Sequence, residues 1–148
     1  INYRLKIKLQ GERIMGKKTK ILLVDNDVDF IDLNKAVLEN NGFDVAVAYA
    51  GREVMDKVKF EQPDLIVLDL MMEKHDTGFA VAKALKADPI YKGIPILMLT
   101  AVLGETGMDF SQEFDGYWMK TDAFANKPLS PEELIKSINE LFVKNKKG

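Results

Sequence analysis

The chain has 148 residues, of which 47% are hydrophobic and 30% charged, with no cysteine and a net charge of −2 at pH 7. That length suits one globular domain with a sizeable core, and the lack of cysteine excludes disulfide and thiolate chemistry. The mildly acidic balance disfavours bulk nucleic-acid binding, and no apolar run reaches the ~20 residues that a membrane helix needs. We therefore expect a cytoplasmic domain that contacts neither nucleic acid nor membrane directly.

Residues 1–9 alternate strictly between apolar and polar side chains, a period of two that is typical of a half-exposed strand. Met15 and Gly16 look like a natural start just before the first core strand. We predict that residues 1–14 are an N-terminal extension, upstream in origin or added artificially, and that residues 15–148 form a single domain. An added edge strand or a dimer contact is the alternative for the extension.

From there the pattern alternates between short apolar runs and longer segments of helical period. We predict strands at 20–24, 44–48, 64–69, 94–100 and 123–126, and helices at about 28–40, 51–60, 78–87, 103–110 and after Ser130. The first helix should bury a face formed by Phe30, Leu33 and Val37. Ser130 should cap the last helix, with Pro131 in its first position. Five such units predict an α/β fold, a doubly wound five-stranded parallel sheet with helices on both faces.

Polar residues stand where four of these strands end. Asp25, Asn26 and Asp27 follow the first strand, Asp69 ends the third, and Thr100 and Lys127 end the fourth and fifth. Ligands of doubly wound sheets bind at the carboxyl ends of the strands, so these side chains should converge there. Clustered carboxylates repel unless a cation neutralises them, and Mg²⁺ favours one or two carboxylates with water and a phosphate oxygen. The set predicts a site for a divalent cation and a phosphoryl group.

Simpler explanations exist for each residue alone. One of the three residues that follow the first strand is needed only to cap the helix. Thr100 suits a strand end as a β-former, and Lys127 suits the surface beside a turn. Their joint occurrence at successive strand ends favours the functional interpretation.

Over residues 18–144 these motifs resemble the receiver domain of two-component response regulators. The resemblance is carried by the apolar run before Asp25 and Asn26, Leu65 to Asp69, Leu97 to Ala101, and Lys127 with Pro128. It implies a flavodoxin-like sheet with strand order 2-1-3-4-5. It also implies that Asp69 accepts a phosphoryl group from a sensor histidine kinase or a phosphotransfer protein. The length suggests a stand-alone receiver that signals by contact with a downstream protein.

The resemblance also assigns roles to the other site residues. Mg²⁺ would be bound by Asp25, Asn26, Asp69 and the backbone oxygen of Met71, with Asp27 as an alternative ligand. Thr100 would hydrogen-bond the phosphoryl group, Lys127 would pair with it, and Phe124 would be the aromatic switch residue. The Lys127–Pro128 peptide bond would be cis. Such a domain is not an enzyme beyond phosphorylating itself from small donors and dephosphorylating itself, and formation of a homodimer stays open.

The sequence departs from the family pattern in three places, one of which is the loop after Asp69, with Glu73 where a proline is usual and one residue more than is typical. Asn26 stands where a second acid is usual, and segment 103–122 makes the interval between Thr100 and Lys127 longer than is typical. The long segment either covers the output face or forms a docking surface. The loss of one acid leaves open a degenerate receiver that binds partners without phosphorylation. Asp25 to Asp27 also resemble the first motif of haloacid-dehalogenase-type phosphatases, although no further strand with paired acids follows Lys127.

Overall fold

The computed structural model describes residues 18–72, 77–100 and 122–147. Its five strands are β1 (Lys20–Val24), β2 (Asp44–Ala48), β3 (Leu65–Asp69), β4 (Ile96–Thr100) and β5 (Ala123–Asn126). Its helices are α1 (Val28–Asn40), α2 (Val54–Glu61, preceded by the 3-10 turn Gly51–Glu53), α3 (Thr77–Ala87) and α4 (Pro131–Lys147). The predictions for the extension 1–14 and for the helix at 103–110 fall outside the described residues.

The strands form one parallel sheet in the order β2-β1-β3-β4-β5, which confirms the predicted fold class and strand order. Side chains of β1 and β3 alternate between two hydrophobic clusters, one on each face of the sheet. Leu22 and Ile66 lie in the cluster covered by α2 and α3, whereas Ile21 and Leu65 lie in the cluster covered by α1 and α4. Burial on both faces explains why these strands are continuous apolar runs.

Strand β4 starts at Ile96, two residues later than predicted, because Pro95 has no amide hydrogen to give to the ladder. Helix α1 ends where predicted: Gly42 has φ +92°, and its N–H donates to the Glu39 carbonyl at 3.1 Å. A glycine is suited to this left-handed position, and it turns the chain into β2. Among the described helices, none has the length and apolarity that crossing a membrane would require.

The predicted buried face of α1 is wrong at Leu33, although Phe30 does pack against the core. The side chains that point into the core are Ile31, Asn34 and Leu38, while Leu33 is 54% exposed. Asn34 can take a core position because its Nδ2 donates to the Phe30 carbonyl at 2.8 Å within the same helix. A search for apolar periodicity does not count a buried asparagine whose amide is hydrogen-bonded within the helix. The predicted face was therefore displaced around the helix from the face that is buried.

The start of α4 confirms Ser130 as its cap. The Glu133 N–H donates to Ser130 Oγ at 3.1 Å, and the Ser130 N–H donates to Glu133 Oε1 at 2.8 Å, which makes a capping box. The pKa of Glu133 is lowered, mainly by the hydrogen bond from the Ser130 backbone and next by the interaction with the Ser130 hydroxyl. The face that α4 buries is the predicted one, with Leu134, Ile138 and Leu141 in the core.

We expect Ser130→Ala to lower the free energy of unfolding by about 1 kcal/mol, because the amide at Glu133 loses its acceptor. The cap involves an ionised Glu133 with a lowered pKa, so its contribution is present above the ordinary glutamate pKa and is lost as the pH falls. Urea unfolding at neutral and acidic pH would measure both effects. Ser130→Asn keeps a capping oxygen and serves as the control, and an equal loss in both variants would contradict the capping role.

Candidate functional site

The carboxyl ends of β1, β3 and β5 meet in one cleft. The described residues that line it are Asp25, Asn26, Asp27, Phe30, Asp69, Met71, Lys127, Pro128 and Leu129. The structure therefore brings together the predicted carboxylates, the amide and the lysine. Thr100 and Phe124 are not among the described residues that line the cleft. Thr100 is the last residue of β4, and Phe124 is the second residue of β5.

Asp25 and Asp69 are held by the backbone of the turns that follow them. The Asp27 N–H donates to Asp25 Oδ1, and the Met71 N–H donates to Asp69 Oδ1, both at 2.9 Å. Each strand end thus folds back on its own carboxylate and fixes one of the two oxygens. The second oxygen of each side chain lies toward Lys127, whose Nζ is 2.9 Å from Asp25 Oδ2 and 3.5 Å from Asp69 Oδ2.

Burial dominates the electrostatics of this cleft. It raises the pKa of Asp25, and the nearby charge of Asp69 adds to the effect, although hydrogen bonds from Lys127 and the Asp27 amide partly offset it. Burial alone would lower the pKa of Lys127, but the hydrogen bond to Asp25 and the charges of both carboxylates outweigh it, so that pKa is raised. The lysine therefore stays charged between two carboxylates that share it.

Asp27 has the simpler of its two predicted roles, because its Oδ1 accepts from the Phe30 N–H at 3.2 Å and caps α1. Asn26 is exposed and lines the cleft, so its amide oxygen is accessible to a ligand. Among the described residues, no three acidic or histidine side chains converge on one point. Two carboxylates and an amide still suit Mg²⁺, which fills its remaining positions with water and phosphate oxygens.

Thr100 is fully buried at the end of β4, where its carbonyl accepts from the Lys127 N–H at 2.8 Å. This bond ties the backbone of the lysine to the strand that carries the threonine. Phe124 is half-buried, pairs with Met98 in the ladder and packs against the cluster under α2 and α3. The Lys127–Pro128 bond is cis, as the resemblance implied.

The sequence motifs assigned no functional role to Gly78 or Phe30. A Cβ on Gly78 would lie 2.3 Å from the Leu70 Cα and 2.5 Å from the Asp69 carbonyl oxygen. Only glycine allows α3 to start this close to the backbone of Asp69. A glycine that opens a helix just after a candidate site loop is a signal that could have indicated this contact. Phe30 was assigned only to a packing face, although its ring lines the cleft.

A family model described as the response regulator receiver domain matches residues 21–139, from the second residue of β1 through about the first half of α4. The chain belongs to this family. Receiver domains are signalling domains rather than enzymes, and they act in two-component systems. The family match removes the haloacid-dehalogenase interpretation of Asp25 to Asp27.

Curated relatives of this receiver include the Bacillus subtilis alkaline phosphatase synthesis transcriptional regulatory protein PhoP. The two are 40% identical over 118 residues, which cover 78% of this chain and 45% of that protein. The Synechocystis DNA-binding dual master transcriptional regulator RpaA is 37% identical over 123 residues, which cover 83% of this chain and 48% of that protein. The chain thus spans about half the length of the curated relatives it matches.

Solved structures agree with this assignment. The chemotaxis response regulator CheY4 of Vibrio cholerae superposes with a TM-score of 0.71 at 31% identity, covering 83% of this chain and 98% of that one. A CheY-like receiver domain protein from Methanospirillum hungatei gives a TM-score of 0.71 at 27% identity, covering 88% and 98%. Nearly the full length of each of these two structures therefore matches this chain.

Proposed function

We propose that this receiver accepts a phosphoryl group on Asp69 from a sensor histidine kinase or a phosphotransfer protein. The observation that supports it most is the pair of carboxylates, Asp25 and Asp69, that share Lys127 at the carboxyl edge of the sheet. A buried carboxylate beside a fixed ammonium can attack a phosphorus atom and have the charge that develops stabilised. The bond to the donor's imidazole nitrogen would break as the bond to the Asp69 carboxylate forms.

Lys127 is suited to stabilise both the transfer and its product. Its Nζ already lies 3.5 Å from Asp69 Oδ2, so an aspartyl phosphate would add about two negative charges beside it. Its backbone is bonded to Thr100, which places the hydroxyl-bearing strand end next to the lysine. We infer that Thr100 moves toward the phosphoryl group to hydrogen-bond it. Phe124 would then change its position in response, on the side of the sheet formed by β4 and β5.

Mg²⁺ fits the donor set of this cleft, because two carboxylates and an amide oxygen lie along it, and these are hard oxygen ligands of the kind that the ion favours. We infer that Asp25, Asn26, Asp69 and the backbone oxygen of Met71 would hold the ion. When bound, it would supply positive charge for the phosphoryl oxygens. Asp27 remains an alternative ligand through the oxygen that does not cap α1.

The output would come from contact with a downstream protein in the cytoplasm. Curated relatives are named as transcriptional and DNA-binding regulators, and this chain covers only about half of their length. Absence of direct nucleic-acid or membrane contact therefore stays a prediction, as do the stand-alone organisation and the state of oligomerisation.

The experiment that tests the proposal is incubation with acetyl phosphate, with Mg²⁺ or with EDTA, followed by intact mass measurement. We expect one added phosphoryl group in the presence of Mg²⁺ and little or none in EDTA, because the charge in the cleft is then uncompensated. No uptake from acetyl phosphate or from a phosphorylated histidine donor would contradict the proposal and favour a degenerate receiver.

We expect Asn26→Asp to tighten Mg²⁺ binding by at least about tenfold. Unit charges 4 Å apart interact by about 4 kcal/mol near a protein surface, and about 1.4 kcal/mol is already tenfold. Isothermal titration calorimetry would measure the change directly. Asn40→Asp makes the same change of charge at the far end of α1 and should leave the affinity unaltered. Equal affinities in all three proteins would mean that position 26 does not reach the ion.

A further inference from the structure

The ammonium of Lys127 touches a third group besides the two carboxylates. Its Nζ lies 4.6 Å from the centroid of the Phe30 ring, well within the ~6 Å range of a cation–π contact. The side chain is only 20% exposed, so the ring replaces much of the water that would otherwise hydrate the ammonium. The carboxylates and the ring thus enclose the same charge.

The position of Phe30 in α1 does not depend on the lysine. The Phe30 N–H donates to the capping Oδ1 of Asp27, and its carbonyl accepts from Asn34 Nδ2. The side chain also packs against the hydrophobic cluster under α1 and α4. A ring that packs against the core from a fixed backbone moves less than a long lysine side chain, so it can restrain the lysine.

The lysine needs such a restraint. Its backbone is fixed to Thr100, but four rotatable bonds separate that backbone from Nζ. Asp25 lies closer to Nζ than Asp69 does, by 2.9 Å against 3.5 Å, so the carboxylates alone would draw it toward Asp25. A third attractive surface limits where the ammonium can go when the charge on Asp69 changes.

We propose that Phe30 is a positioning residue of this receiver, whose ring face holds the Lys127 ammonium between Asp25 and Asp69 and so sets the rate of phosphoryl transfer to Asp69. The inference rests on the proposed function. It concerns a side chain that acts only through the lysine and need not touch the phosphoryl group.

The test is a fluorination series at position 30, in which site-specific incorporation replaces phenylalanine by its mono-, di- and trifluoro derivatives. Each fluorine weakens the negative face of the ring while the shape stays nearly constant. The phosphorylation rate from acetyl phosphate should fall stepwise, by about three- to tenfold in total, as expected for a cation–π contact between its exposed and desolvated limits. Packing alone would give no such trend. The same series at Phe60, which is 84% exposed on α2, should leave the rate unchanged.

A second readout is independent of phosphorylation. In the nuclear magnetic resonance spectrum, the ring current of Phe30 should shift the Lys127 Hε protons upfield, and Phe30→Leu should remove that shift while Phe30→Tyr restores it. A phosphorylation rate that does not change across the fluorination series would overturn the inference and leave the proposed function standing. So would ordinary chemical shifts of the Lys127 Hε protons in the wild-type chain. A wild-type chain that takes up no phosphoryl group would overturn both.

Discussion

Replacing Asp69 by asparagine should abolish phosphoryl uptake, while the wild-type chain gains one phosphoryl group from acetyl phosphate. The amide has the same shape but is a far weaker nucleophile than a carboxylate, and it has no negative charge to pair with Lys127. Intact mass after incubation with acetyl phosphate and Mg²⁺ measures the outcome directly. This is the largest effect that we expect from a single substitution in the cleft.

Asp29→Asn is the matched control, since Asp29 lies in the first turn of α1 but not among the residues that line the cleft. It should take up a phosphoryl group as the wild-type chain does. Comparable urea unfolding curves would show that Asp69→Asn remains folded. Undiminished uptake by folded Asp69→Asn would place the acceptor elsewhere.

The largest loss of stability should follow from disrupting a buried ion pair at the opposite edge of the sheet. Lys86 Nζ lies 2.7 Å from Asp122 Oδ1, and the two side chains are only 3% and 1% exposed. The ammonium also donates to the carbonyls of Lys92 and Ile94, while Asp122 Oδ1 accepts from the Ile96 N–H. The pair thus joins the end of α3 to the starts of β4 and β5.

We expect Asp122→Ala to lower the free energy of unfolding by about 3–5 kcal/mol, because it leaves the Lys86 charge buried and unpaired. That is a large part of the 5–15 kcal/mol typical of a domain, so urea unfolding should show it clearly. The double variant with Lys86→Met should recover much of the loss, since no isolated charge then remains.

Glu39→Gln is the control for this pair, because Lys35 and Glu39 form an exposed i,i+4 salt bridge on α1. Such a pair contributes about 0.5 kcal/mol or less. A loss of similar size in Glu39→Gln and Asp122→Ala, or single losses that add in the double variant, would contradict the argument from burial.

The architecture was predictable because the strands are buried on both faces and so appear as uninterrupted apolar runs. The predicted boundaries of β1, β2 and β5 are confirmed. The end of α1 at Gly42 and the cap of α4 at Ser130 were also predictable, because they depend on local backbone chemistry. Such signals lie within a few residues of one another in the chain. They need no knowledge of the rest of the fold.

The convergence of Asp25, Asp69 and Lys127 was also predictable, since parallel strands bring their carboxyl ends to one edge. The finer contacts were not. Nothing in the sequence places the ring of Phe30 over an ammonium 97 positions later. The apolar pattern indicated its packing against the core, which the structure shows, but not its contact with the lysine.

The pair of Lys86 and Asp122 was missed for a similar reason. A lysine near a helix end and an aspartate before a strand are ordinary surface residues in any pattern of polarity. Their burial depends on loop carbonyls and on the Ile96 amide, which become partners only after β4 and β5 pair. Contacts between residues far apart in sequence are therefore the part of this structure that local patterns do not reach.

The most direct measurement is to locate the phosphoryl group in the chain. Borohydride reduces an aspartyl phosphate to homoserine, so mass spectrometry of peptides from the reduced, phosphorylated protein identifies the acceptor. The account predicts homoserine at position 69 and at no other aspartate. Homoserine at position 25 or 27, or a phosphoryl group that resists reduction because it sits on a serine, threonine or histidine, would contradict it.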